Sequence, residues 1–330
     1  MLKSLSISNF RLFRSLKLDT LNRVNLIAGG NNTGKTAMLE ALYLLLGDSK
    51  DFIGFASAFR SNQGSDDFDS FWMWLSYQRK LRKPIEIEVT DHEGTSYAVR
   101  QNQQTVRDST TVLNFDFFKH GHHQFSQSVS KDRGFDSRNT ARADWPDLRV
   151  FSALPSSPIE DAEYFNRIAA KRGGERRVIE LLQVIEPRLQ DLKYLKLGSQ
   201  ALVYADVGME DLIPTTQLGQ AFTRLLRLFT EILLSKSKVV LIDEIENGIH
   251  YLAMQKVWKG IAAMAREEDL QYFVTTHSYE CIRSAHEAFS SEGSYDLALH
   301  RLERVKDEVR VVTYDKSTLE TSFEMNLEVR

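Results

Sequence analysis

Cysteine is nearly absent from this chain. Cys281 stands alone among 330 residues, so no intramolecular disulfide can form, which suits a reducing compartment. Long apolar runs are missing too. None approaches the ~18 residues of a membrane-crossing helix, and the opening MLKSLSISNF has no apolar h-region of a secretory leader. Charge of one sign is not in excess: 42 Lys and Arg against 45 Asp and Glu leave a formal charge of −3. That balance excludes a strongly basic nucleic-acid coat and leaves a local basic face open. No internal repeat or low-complexity tract is visible. What is there, 42% hydrophobic and 26% charged residues, is the composition of a globular chain with room for about two domains, or one large domain with insertions. A cytoplasmic protein with no membrane partner is expected.

Hydrophobic periodicity places the elements. Residues 2–28 alternate and predict two or three short strands. Residues 34–46 are apolar almost all round, the pattern of a buried helix. Residues 47–70 read as irregular connection, and 70–81 as an aromatic-rich helix (Phe71, Trp72, Trp74, Tyr77) whose rings are expected in the core. Residues 84–118 alternate again, with a hairpin turn at Asp91-His92-Glu93-Gly94. The polar stretch 119–147 reads as a long loop. Beyond it the pattern gives a strand at 148–154, helices at 159–171 and 174–186, strands within 190–207 and an amphipathic helix at 217–235. Strand 238–243, helix 250–268, strand 271–276, helix 278–289 and a β-rich tail complete the chain.

Gly29-Gly30-Asn31-Asn32-Thr33-Gly34-Lys35-Thr36 fits G-x-x-x-x-G-K-[ST]. Glycines let successive N–H groups curl toward phosphate oxygens, and the following helix from Ala37 onward adds its positive end. Lys35 supplies a charge for the β- and γ-phosphates, and the Thr36 hydroxyl is suited to Mg²⁺. Chance alone gives the pattern about once in a hundred chains of this length, and here an apolar strand precedes it and a helix follows. Val239-Val240-Leu241-Ile242-Asp243-Glu244 is an apolar strand ending in two acids. Asp243 is placed to support Mg²⁺, and Glu244 to polarise a water. The strand QYFVTTHS carries His277 to the same carboxyl edge, where open α/β sheets place ligands. Thr215-Thr216-Gln217-Leu218-Gly219-Gln220 opens a helix with small and polar residues, either an ordinary N-cap or a second anion site.

In this order, phosphate loop, signature helix, acidic strand and switch histidine resemble the ABC-type ATPases of the RecF, SMC and OLD (overcoming lysogenisation defect) group. The likeness is strongest over residues 1–46 and 214–290. It implies an α/β fold, one ABC-type P-loop head spanning 1–330. The nucleotide-binding core would be 1–46 and 236–330, with 84–118 in an antiparallel β-subdomain and 119–235 as an inserted loop and helical lobe. It implies ATP and Mg²⁺ as cofactors. Gly29, Gly30, Asn31, Asn32, Thr33, Gly34, Lys35, Thr36 and Ala37 would bind nucleotide. Thr36 and Asp243 would hold the metal, and Lys35, Glu244 and His277 would act in hydrolysis. Two heads would meet head-to-tail, Gly219 and Gln220 reaching the ATP of the other chain.

Three departures from that pattern stand out. The signature serine is missing, since Gly219-Gln220-Ala221 occupies its place. The D-loop aspartate position carries His250. The Q-loop glutamine has two candidate places, Gln78 and the stretch 152–157. There is no long coiled coil, and no TOPRIM nuclease domain fits after His277. The implied function is therefore a stand-alone ATPase, a homodimer or higher homo-oligomer, switching a separate nuclease or toxin effector in anti-phage defence. The alternatives are a RecF-like DNA-binding repair ATPase and a scaffold without turnover. A GTPase lacks its N-K-x-D motif. His120, His122 and His123 read as solvated rather than metal-binding. The basic run Lys171, Arg172, Arg176 and Arg177 reads as a solvated helix junction, with a DNA or effector contact as its alternative. Cys281 reads as a buried small hydrophobe.

Overall fold

In the computed structural model, residues 1–47, 55, 58, 59, 71–80, 83–105, 111–131, 134–138, 145–154, 157–197, 200–291 and 293–330 are described. The chain opens with strands β1 (Leu2–Phe10), β2 (Phe13–Leu18) and β3 (Val24–Gly29), then helix α1 (Lys35–Leu46). Strands β4 (Ile85–Asp91), β5 (Ser96–Thr105), β6 (Thr111–Lys119), β7 (His122–Ser130), β8 (Gly134–Arg138) and β9 (Leu148–Phe151) follow. Next come α2 (Pro158–Ala169), α3 (Gly174–Leu182), β10 (Asp191–Leu197), β11 (Gln200–Asp206), β12 (Ile213–Pro214) and α4 (Gln220–Leu234). The last part holds β13 (Val239–Ile242), α5 (Tyr251–Glu267), β14 (Gln271–Thr276), α6 (Tyr279–Ser290), β15 (Leu297–Val305), β16 (Glu308–Tyr314) and α7 (Lys316–Glu324).

Two large sheets enclose α1. The six-stranded sheet runs β16-β15-β3-β14-β13-β9, and all its pairs are parallel except β15 with β16. The seven-stranded sheet runs β2-β1-β4-β5-β6-β7-β8 and is antiparallel throughout. Successive side chains of a strand point to opposite faces, so each central strand feeds two cores. Val24, Leu26, Val240, Ile242, Tyr272 and Val274 enter one, with α4, α5 and α6. Ile27, Val239, Leu241 and Phe273 enter the other, against α1 and the antiparallel sheet. A strand covered on both faces reads as an unbroken apolar run, which is why VNLIAG and VVLI are buried at every position. Because α1 is sandwiched between the sheets, even its Glu40 is buried, and Arg11 pairs with it through Nε to Oε2 at 2.9 Å.

Three expectations need correction. The stretch 119–147 is not a long loop: β7 and β8 extend the antiparallel sheet, with Phe125, Gln127 and Val129 buried on one face. Outward serines and an inward glutamine disguise the alternation. The described residues within 70–81 form two short 3₁₀ turns, Trp72–Leu75 and Tyr77–Arg79. Ser76 between them is extended because it bridges Phe10, and Arg11 N–H donates to Leu75 O at 2.6 Å. Of its rings, Phe71 and Trp72 are buried, but Trp74 is 50% exposed beneath the Arg79 guanidinium. The β-rich tail ends in a helix, α7, started by a capping box between Asp315 and Thr318. The reading of 47–70 falls largely outside the described residues. Among the described residues no helix is long and apolar enough to cross a membrane.

Candidate functional site

The carboxyl ends of β3, β13 and β14 lie side by side in the parallel sheet, and the chain reverses there into three polar turns. The first is the phosphate loop. Gly34 adopts φ +100, and a Cβ there would lie 2.7 Å from Phe13 Cζ. Only glycine combines that backbone with that contact. Asn31 and Asn32 are exposed and Thr33 is buried, its hydroxyl donating to Gly30 O at 2.9 Å. Ala37 is buried in the first turn of α1. Lys35 Nζ folds onto the loop, donating to Gly29 O at 2.8 Å and Gly30 O at 3.0 Å. Burial lowers the pKa of Lys35, while the charges of Glu244, Glu246 and Asp243 act in the opposite direction.

The second turn follows β13. Thr36 Oγ1 donates toward both carboxylate oxygens of Asp243, at 3.3 and 3.2 Å, and Thr275 Oγ1 donates to Oδ1 at 2.5 Å. Burial raises the pKa of Asp243, and the hydrogen bonds from Thr275 and Thr36 counter it. Glu244 is a non-glycine residue at φ 48, in the left-handed region where strain is stored at functional sites. Its N–H donates to Thr275 Oγ1 at 2.8 Å, and its Oε2 accepts from Asn247 Nδ2 at 2.7 Å. The third turn follows β14. His277 is half exposed, its N–H and Nδ1 both on Glu246 Oε1, at 2.7 and 2.9 Å.

The structure thus brings Lys35, Thr36, Asp243, Glu244 and His277 to one sheet edge. It leaves Gly219 and Gln220 apart. Both are exposed at the start of α4, and among the described residues no hydrogen bond joins them to the phosphate loop of the same chain. Gly219 holds φ +92, and a Cβ there would meet nothing within 4 Å. The residue is exposed at the rim of the cleft between α2, α4 and the turn after β13. Gln220 packs instead beside the turn after β13, its Cβ 3.0 Å from where a Gly248 Cβ would sit. His250, at the D-loop place, N-caps α5 by accepting from Leu252 N–H.

The site suits a triphosphate and a small hard cation. The oxygens of Thr36 and Asp243 are spaced as two neighbouring ligands of one ion whose bonds are about 2.0–2.1 Å long. Among the described residues no three His, Cys, Asp or Glu side chains converge as an all-protein metal cage. The three histidines near the β6–β7 hairpin hold no such cage either, and His123 Nε2 simply meets Ser126 Oγ at 2.8 Å. Arg176 and Arg177 of the basic run pair with Glu180, and Arg177 also pairs with Glu267. Of the two Q-loop candidates, Gln78 is left-handed at φ 52 and bonds Tyr77 Oη. Ser152, Ala153, Leu154 and Ser157 line a cleft of about 800 Å³ between α2, α4 and the turn after β13. Residues 155 and 156 lie outside the described residues.

Four residues escaped sequence reasoning: Thr275, Arg224, Asn247 and Glu246. Thr275 bridges Asp243 and the Glu244 main chain. Arg224, on α4, donates to Asp243 O. Their signal was proximity in sequence to the motifs: TTHS contains Thr275, and IDEIEN contains both Glu246 and Asn247.

The chain is similar to several known proteins. A "DNA replication and repair protein RecF" of Oenococcus oeni is 32% identical over 97 residues, 27% of this chain and 23% of that protein. An "ATP/GTP phosphatase" of Helicobacter pylori is 23% identical over 325 residues, 86% of each chain. Among solved structures, an SMC head bound to the C-winged-helix domain of ScpA superposes with TM-score 0.58 at 13% identity, over 98% of this chain and 99% of that one. The SMC head of Thermotoga maritima gives 0.53 at 14%, over 95% and 99%. The fold is that of an ABC-type P-loop head. The family described as "AAA domain, putative AbiEii toxin, Type IV TA system" matches residues 24–283, and the chain belongs to it.

Proposed function

We propose that this chain is a nucleotide-dependent dimerisation switch for a separate effector. It is an ATPase of the ABC type, related to the SMC and RecF proteins. Lys35 and the loop N–H groups bind the β- and γ-phosphates. Thr36 and Asp243 hold Mg²⁺, which neutralises charge on the phosphates when bound. Thr275 and Thr36 fix the Asp243 carboxylate. Glu244, oriented by Asn247, accepts a proton from the attacking water. His277 addresses the γ-phosphate from the neighbouring strand. The observation that carries the dimer reading is the exposed backbone at Gly219, held in a conformation that favours glycine with open space beside it. In a head-to-tail pair it donates to the ATP of the other chain, its N–H groups replacing the missing serine hydroxyl.

The product of such a cycle is a conformation rather than a released metabolite. A nuclease or toxin effector in anti-phage defence is supported by the toxin named in the family description. A second reading, a RecF-like repair ATPase, is favoured by the local RecF likeness. Light scattering on the Glu244→Gln variant separates them. ATP-dependent dimers without DNA support the switch. Assembly only with duplex DNA supports the repair reading. No response to ATP, in a chain whose Lys35→Ala variant binds nucleotide equally well, overturns both.

A further inference from the structure

Glu246 has no role in the hydrolytic scheme above, yet it is placed with unusual care. One oxygen, Oε1, takes both the main-chain N–H and ring Nδ1 of His277, at 2.7 and 2.9 Å. Its side chain is 11% exposed, against 51% for the imidazole it holds. The other oxygen, Oε2, is buried without a hydrogen-bond partner. A buried carboxylate with one unsatisfied oxygen is costly, and capping the His277 N–H alone would need no charge. Lys35 and Arg224 both feel the Glu246 charge, so the carboxylate is set in a field of cations that makes it tolerable.

The geometry has a definite consequence for the ring. An acceptor on Nδ1 requires the hydrogen there and fixes the ring plane; Nε2 then donates only in the imidazolium, the form that an adjoining carboxylate suits. Nε2 has no partner among the described residues. We infer that Glu246 is the positioning residue of the switch histidine: it locks the His277 rotamer and, with its carboxylate beside the imidazolium, presents Nε2–H to the γ-phosphate. This rests on the reading of His277 as the γ-phosphate contact. Glu246 touches no substrate and acts through His277 alone.

A double-mutant cycle on the full chain tests it, with steady-state ATP turnover for the wild type, Glu246→Gln, His277→Ala and the double variant. Glu246→Gln is expected to lower kcat about tenfold with KM changed less than about twofold, and to change kcat less than about twofold once His277 is already alanine. Glu246→Asp keeps the charge but withdraws the oxygen by one methylene, and is expected to lose activity alongside Glu246→Gln. An equal loss in both His277 backgrounds overturns the inference, as does a fully active Glu246→Asp, which would make the charge alone the requirement. A silent Glu246→Gln beside an impaired His277→Ala overturns this inference only. A fully active His277→Ala overturns the γ-phosphate reading as well. Should Glu246→Gln fold poorly, the melting temperature reports it and the comparison rests on Glu246→Asp.

Discussion

Arg224 of α4 donates through its guanidinium to the main-chain carbonyl of Asp243 at 2.5 Å. The helix that begins at Gly219 is thereby tied to the strand end that carries the acidic pair. Burial lowers the Arg224 pKa, and the charges of Glu246, Asp243 and Glu244 hold it up. Arg224→Ala removes a buried cation from three carboxylates and leaves a carbonyl unpaired. Charge-assisted hydrogen bonds contribute ~1.5–3 kcal/mol, so ATP turnover is expected to fall about tenfold or more. Binding of a fluorescent ATP analogue, which the proposed function assigns to Lys35 and its loop, is expected to persist. Loss of binding in parallel with turnover would instead assign Arg224 to the folding of the site.

Gly34→Ala tests the phosphate loop without touching a charge. The variant must adopt φ +100 and displace the Phe13 ring from 2.7 Å. Strain of this kind costs about 1–3 kcal/mol. Nucleotide affinity is expected to drop more than the melting temperature does, because the loop is distorted where the phosphates bind. Calorimetric titration with ATP and Mg²⁺, beside a melting curve, separates the two effects.

His300 gives the protein an acid-sensitive core. It is completely buried, its Nε2 on Asn25 Oδ1 at 3.2 Å and its Nδ1 on Thr313 Oγ1 at 2.9 Å. An amide oxygen accepts and a hydroxyl can donate, so one ring nitrogen donates and the other accepts, as a neutral imidazole requires. Burial lowers its pKa to about 4, from an ordinary value of about 6.5. The unfolded chain therefore takes up the proton first on acidification. The stabilisation is present above about pH 6.5 and disappears as pH falls toward 4, amounting to on the order of 3 kcal/mol. Urea midpoints between pH 7 and 4 are expected to fall less steeply for His300→Gln than for the wild type. Equal slopes would remove His300 as the cause.

Cys281 is expected to be inert in the native state. It is buried beneath the N-terminal turn of α6, and burial pushes its thiol up to about 12. At pH 8 a disulfide reagent is expected to label less than about a tenth of the protein before denaturant is added, and one thiol per chain afterwards. Rapid native labelling would show that the start of α6 opens.

Much of this was legible in the sequence because the motifs sit on strands buried on both faces. VNLIAG, VVLI and QYFVTT read as buried strands, and the order of the motifs after them pointed to one shared edge. What stayed hidden depends on tertiary contact. The β7 strand hides its alternation because Gln127 occupies an inward position and serines face out. Residues 70–81 have helical composition, but pairing of Ser76 with Phe10 draws the backbone straight. The Thr275 and Arg224 contacts to Asp243 span 32 and 19 residues, and no local pattern reports such a reach. Gly219 was legible as a helix start. Its φ of +92 was not, since an ordinary N-cap would read the same.

Lys35 rests on the carbonyls of Gly29 and Gly30, in its own loop. The ammonium is its own latch. An arriving ligand gains only the difference between its oxygens and those two carbonyls, so entry is an exchange rather than the filling of a bare charge. A ligand whose anionic chain stops short of Nζ leaves the latch in place. If Lys35 meets the β- and γ-phosphates as proposed, the loop would respond to the length of a phosphate chain rather than to the base.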